Sequence, residues 1–156
     1  MLHAKRTSLW PRRYEISEGG RTLTVFTAGK WRSGEFELGG TGYRVRSHRL
    51  AGTYELLTAD GSVVATTDRQ GPRRWSVHAS GQVFRFESDS IGIRNQSLIG
   101  PDGEPAGSIT RTGRAGFGAS ADLPGLDAEI QVFAVVVMLL RWRRRRVVAA
   151  SAAASG

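Results

Sequence analysis

The residues best suited to proton transfer or metal ligation are His3, His48 and His78, and they are scattered along the chain. None has an Asp, Glu or second His at a ligand spacing, so neither a zinc triad nor a nucleophile–base pair can be read from them. The chain has no cysteine, which excludes disulfides, thiolate nucleophiles and Cys-ligated zinc. Gly116-Phe117-Gly118-Ala119-Ser120-Ala121 fits a relaxed G-x-G-x-x-A. Pro124 and Gly125 follow where a dinucleotide-binding helix would open, so the match is accidental, and its glycines suit a bent strand or the close approach of a helix. Ser120 lacks the G-x-S-x-G frame of a strained nucleophile turn. Glu87-Ser88-Asp89 has too few further ligands nearby for a metal. No enzymatic reading survives, and no metal or cofactor is expected.

Basic residues offer a different chemistry, the binding of anions. The 156 residues carry 22 Lys+Arg against 14 Asp+Glu, a formal net charge of +8. Residues 1–13 hold Lys5, Arg6, Arg12 and Arg13 without an acid, a local charge of +4. Arg141 and Arg143 to Arg146 add +5, so residues 14–140 come to −1. The body is near neutral and both ends are basic. Such ends suit an anionic membrane surface, or simply solubility. A nucleic-acid binder more often spreads its excess over a face, so nucleic acid is an unfavoured partner. The preference for Arg over Lys, with abundant Ala and Gly, reads as GC-rich coding. Arg73-Arg74-Trp75 and Lys30-Trp31-Arg32 pair bases with aromatics, as binders of single strands or interfacial lipid do. Trp31 and Trp75 suit the core or the rim of a fold equally well. Met1 to Pro11 lacks an apolar stretch and a cleavage site, so no secretory signal is expected. Asn95-Gln96-Ser97 is then a chance sequon, and a cytoplasmic location, peripheral at most to the membrane's inner face, is the expectation.

The elements that must position these residues are mostly strands. Residues 22–27, 34–38 and 42–47 alternate with period two, and further β-rich runs cover 53–58, 62–67, 74–79, 82–88, 93–99, 107–111 and 113–120. Ala59-Asp60-Gly61 and Pro101-Asp102-Gly103 are hairpin signals, joined by Leu38-Gly39-Gly40 and Ala79-Ser80-Gly81. About ten residues per strand and turn, without interposed amphipathic helices, mark an antiparallel sandwich or barrel.

Residues 130–140 break the rhythm: all but Gln131 are apolar, with no polar face, and the arginines follow. Asp127 is placed to cap a helix and Glu129 to favour its first turn, while cations suit its end. Three states compete: a helix buried on all sides, a membrane-inserted tail, and a buried strand. The run is short for a span of about 20 residues and long for a strand. As a helix it covers about 16 Å, near the length of a five- or six-residue strand, so it could thread a barrel. Ile130, Val132, Phe133, Val136, Val137, Leu139 and Leu140 are then its core.

Tyr14-Glu15-Ile16-Ser17, the hairpin series, and Asp122-Leu123-Pro124 leading into the apolar run and Arg141-Trp142-Arg143 together resemble the tubby C-terminal-like superfamily. That group includes tubby-type domains, phospholipid scramblases and LURP-one-related proteins, and short bacterial members are most similar in layout. The resemblance covers residues 12–146 and rests on layout rather than on an invariant motif. It implies a mainly β fold, a closed antiparallel barrel of about 11–12 short strands around a central C-terminal helix at about 128–145. Residues 1–11 are expected as a flexible basic N-terminus, and 147–156 as a flexible Ala/Ser tail. Scramblase-like members carry an acidic calcium segment and a cysteine-rich stretch. Here Asp122, Asp127 and Glu129 are too sparse for a calcium cage. Tubby-type domains hold phosphoinositide headgroups with bases on neighbouring strands. Arg44, Arg46 and His48 share a strand face by period two, with Arg49 following, which suits such a site and equally a solvated face.

The functional expectation is a non-enzymatic binding module at anionic phospholipid surfaces. Its contacts would be Arg141, Arg143, Arg144, Arg145 and Arg146, then Arg12 and Arg13, with Arg44 and Arg46 as a further candidate site. The alternatives are a protein-interaction or structural domain, and a scramblase-like protein with its last helix in the bilayer.

Overall fold

In the computed structural model, residues 1–48, 51–89, 94–113 and 117–155 are described, without the side chains of 144–150 and 155. Twelve antiparallel strands follow one another in chain order: β1 (Leu2–Leu9), β2 (Arg12–Glu18), β3 (Arg21–Ala28), β4 (Gly34–Leu38), β5 (Thr41–His48), β6 (Thr53–Thr58), β7 (Val63–Arg69), β8 (Arg74–Ala79), β9 (Gln82–Ser88), β10 (Asn95–Ile99), β11 (Pro105–Thr112) and β12 (Gly118–Asp122). A helix, α1 (Ala128–Ser155), ends the chain. β1 pairs with β2 on one side and with β12 on the other, Leu2 opposite Ala121, so the sheet closes into a barrel. Closure removes the exposed edges that an open sheet would present.

The wall is built by alternation. On β5, Arg44, Arg46 and His48 face outward while Val45 is buried and Tyr43 half-buried. On β8, Trp75, Val77 and Ala79 point inward. The turns take the backbone forms their residues favour: Gly61 and Gly103 have φ of 86° and 83°, in the left-handed region that Asp-Gly turns exploit.

Inside the barrel lies the first part of α1. Val132 to Val137 are consecutive and none is more than 1% exposed, so every face of the helix is covered. A helix with no polar face has no other stable place in water, and the strands' inward residues, Ile16, Phe26, Leu56, Phe86 and Ile109 among them, complete one continuous core. Ile130, Phe133, Leu139 and Leu140 belong to it, and so does Trp142 beyond the apolar run. The Asp127 carbonyl accepts the Ile130 and Gln131 amides, starting the helix as a cap residue does.

Three boundaries differ from those expected. The N-terminus is no free tail: residues 2–9 form β1, with Leu2 and Ala4 buried and His3 and Lys5 outward. Two buried side chains are a faint pattern, and it is pairing on both sides that orders the strand. At the other end the helix continues to Ser155, so residues 147–155 extend it where a flexible tail was expected. Its 28 residues reach about 42 Å, well beyond the barrel's strands. The last strand runs over Gly118–Asp122, later than 113–120. Gly118 serves the wall, since a Cβ there would press on the Ala4 carbonyl of β1 at 2.7 Å and on Thr112, not on the helix. Of the expected run 93–99 and of Gly116, residue 93 and Gly116 lie outside the described residues.

Gly34 is a second close approach: a Cβ would overlap the Phe26 ring and the Thr27 carbonyl. Gly34→Ala is therefore expected to destabilise the barrel by about 1–3 kcal/mol through overpacking, measured by urea unfolding. Phe133→Ala, which empties a fully buried site, should cost about 3–5 kcal/mol in the same assay. Val136→Asp should abolish the folded state, since a lone carboxylate inside the barrel has no partner; a folded variant with a native circular-dichroism spectrum would contradict the enclosed helix.

Candidate functional site

Because every strand pair is antiparallel, alternate connections fall at opposite ends of the barrel. β12 delivers the chain to one end, where α1 enters, and the helix leaves at the other. The contacts agree: Glu129 raises the pKa of Tyr43 at the start of β5, after burial, at the entry end. At the exit end, Arg141 lies over the rings of Trp75 and Tyr54 at 4.8 and 5.7 Å, and Arg111 lies 5.6 Å from Trp142.

The ends differ in charge. The entry end carries Glu18, Asp60, Asp102, Glu104, Asp122, Asp127 and Glu129, with Arg21 beside them. Glu18 meets the chain's terminal amine at 3.4 Å. Asp60 accepts from the Thr58 hydroxyl and the Ser62 amide, which lowers its pKa to about 2 and keeps it charged. The exit end carries Arg12 and Arg13 at the start of β2, Lys30 and Arg32 between β3 and β4, and Arg69, Arg73 and Arg74 around the β7–β8 connection. Arg94, Arg111, Arg141 and Arg143 lie there too. Three acids there are engaged, Asp68 with His78 at 2.8 Å, Glu87 with Arg74 at 3.7 Å, and Asp89 with Asn95 at 2.8 Å, while Glu35 at the start of β4 is exposed.

Like charges are pressed together at this end. Burial, and then the neighbouring Arg12, lower the pKa of Arg143; burial and Arg94 do the same to Arg111. Arg12 Nε is buried without a hydrogen-bond partner. Two basic segments more than a hundred residues apart in sequence thus meet around one mouth.

The candidate arginines divide accordingly. Arg12, Arg13 and Arg143 lie at the exit mouth, Arg13 exposed. Arg141 is half-buried, its guanidinium stacked against the wall, so it closes the mouth as much as it charges it. The side chains of Arg144, Arg145 and Arg146 lie outside the described residues. Arg44 and Arg46 sit on the outer wall, on the face period two requires, but Arg46 and His48 both bind Glu55, each at 2.6 Å. Those hydrogen bonds, Arg46's first, hold the Glu55 carboxyl below its usual range, so that face is already partly neutralised. Arg49 lies outside the described residues. A groove of about 410 Å³ opens beside Arg44, where β3 and β4 pair at Thr27↔Glu35 and Ala28↔Gly34; toward the entry end Thr24 bridges to the Glu37 carbonyl.

The two basic-aromatic triplets separate. Trp75 is core, 3% exposed, stacked on Phe86 and donating to Gln96 Oε1 at 2.9 Å, while Trp31 is 66% exposed at the exit end. Trp10, not singled out from the sequence, is 89% exposed on the neighbouring connection. The sequence carried no signal for it, because β1 ahead of it was expected as part of a flexible terminus. His3 stands on β1, and among the described residues no three of His, Asp and Glu are grouped for a metal.

No helix among the described residues is long and apolar enough to cross a membrane. No family model, no curated protein and no solved structure matches the chain.

Proposed function

We propose that the protein is a non-enzymatic binding module that docks on anionic phospholipid surfaces with the helix-exit end of its barrel. The observation that carries this is the sorting of charge by end, with bases from both termini and from the alternate connections on one mouth and acids on the other. Such a dipole faces a negative plane in one orientation only. Each base near an anionic leaflet is worth about 1 kcal/mol, and crowding such as that of Arg12 with Arg143 is relieved when phosphates approach. Arg144, Arg145 and Arg146 follow on the same helix and add to this charge. The twelve-stranded layout with its threaded helix supports the resemblance to the tubby C-terminal-like superfamily, in the manner of its LURP-one-related and scramblase-like bacterial members. We place its work at the cytoplasmic face of the membrane, as a peripheral protein. Insertion of α1 in the bilayer would require residues 132–140 to leave a core in which they are buried. A protein-interaction role is the second reading, favoured by the groove between β3 and β4, where Val25 and Tyr43 offer apolar surface beside Arg44.

Vesicle co-sedimentation tests the first reading. The protein should bind phosphatidylglycerol vesicles at low salt, ignore phosphatidylcholine, and be released as salt rises to roughly 0.5 M. Arg12→Gln with Arg13→Gln should weaken binding roughly tenfold to thirtyfold. Truncation should follow Arg143, because Trp142 is part of the core, and should weaken binding further. Asp102→Asn with Glu104→Gln, at the entry end, should leave it unchanged. Absence of binding, or binding indifferent to the exit-end bases, would refute the reading and leave the protein-interaction role.

A further inference from the structure

Trp10 and Trp31 are 89% and 66% exposed, whereas Trp75 and Trp142 are each 3% exposed. Two indoles exposed on one rim present large amphipathic surface at that end of the barrel. They occupy neighbouring exit-end connections, β1–β2 and β3–β4, about 10 Å apart by two strand spacings. Lys30 and Arg32 flank Trp31 directly, and Arg12 and Arg13 follow Trp10 after Pro11. The Trp31 tip is held in shape: Trp31 and Arg32 have φ of 59° and 56°, a left-handed form that bulky residues seldom take. The Ser47 hydroxyl donates to the Trp31 carbonyl at 2.5 Å, and the Ser33 hydroxyl to the Lys30 carbonyl. A depression of about 330 Å³ lies beside it, lined by Lys30, Ser33, Arg46 and Ser47.

We propose that Trp10 and Trp31 form an interfacial anchor: both indoles enter the headgroup region of an anionic bilayer while the flanking bases meet its phosphates. The barrel therefore docks end-on. This rests on the reading of the exit end as a lipid-facing surface and adds what grips the lipid. Indoles favour the membrane–water boundary, and apolar tips backed by bases match the order of a bilayer, charge outside and hydrocarbon within. Single-stranded nucleic acid also stacks on Trp beside bases, but it needs a groove that tracks its backbone. Here the indoles stand on separate tips around a mouth.

The test mixes the full chain with phosphatidylglycerol–phosphatidylcholine vesicles, some brominated along their acyl chains, and reads tryptophan emission. Trp75 and Trp142 supply a constant background. Binding should shift emission to the blue, and bromolipid should quench it. Trp10→Ser with Trp31→Ser should keep the fold, lose the shift and the quenching, and bind roughly tenfold or more weakly, with the residual binding sensitive to salt. Wild-type binding without shift or quenching, or equal binding by the double variant, would overturn the anchor while leaving the lipid-surface reading intact. No vesicle binding by the wild type would overturn both, and binding of oligothymidine with tryptophan quenching in its place would assign the tips to nucleic acid.

Discussion

The enclosure of an apolar helix by a closed wall is the constraint on which the rest depends. Residues 132–140 have no polar face, so they must be covered on every side, and a barrel of twelve short strands is a cover of suitable length. Helix and wall stabilise each other: the strands' inward residues find in α1 the packing that a second sheet would supply in a sandwich. Each fully buried Val, Leu or Phe side chain contributes about 1.5–3 kcal/mol, so no part of this core is dispensable.

That enclosure also fixes the geometry of charge. A helix entering at one end must leave at the other, which puts its first-turn acid, Glu129, with the turn acids Asp60 and Asp102, and its arginines with Arg12 and Lys30. Arg141 marks the boundary, stacked on Trp75 and Tyr54 where the core gives way to solvent. Beyond it the helix continues to Ser155 outside the span of the strands. Structure and proposed function therefore share an origin in the direction of one helix.

Much of the barrel was legible in the sequence because its signals are local. β6, β8 and β9 were delimited residue for residue by alternation and by the Asp-Gly and Ser-Gly turns. The helix announced itself by the absence of any polar face. β1 was not legible, since only Leu2 and Ala4 of its residues are buried and its order comes from pairing with β2 and with β12, which lies more than a hundred residues away. The site was harder still. Lys30-Trp31-Arg32 and Arg73-Arg74-Trp75 look alike as strings, yet Trp75 starts an inward series with Val77 and Ala79 while Trp31 falls between strands. The polarity of the ends needs only the parity of the connections, counted back from the helix. That count was available, but it means nothing until the sheet is known to close.

End-on docking is the central claim, and site-directed spin labelling addresses it most directly. The chain has no cysteine, so Leu9→Cys at the exit end and Ala59→Cys at the entry end each give a single labelling position. On anionic vesicles, the label at position 9 should lose contact with a water-soluble relaxation agent and gain contact with oxygen dissolved in the lipid. The label at position 59 should stay as accessible as it is in solution. Equal protection of both positions, or protection of position 59 alone, would contradict the account.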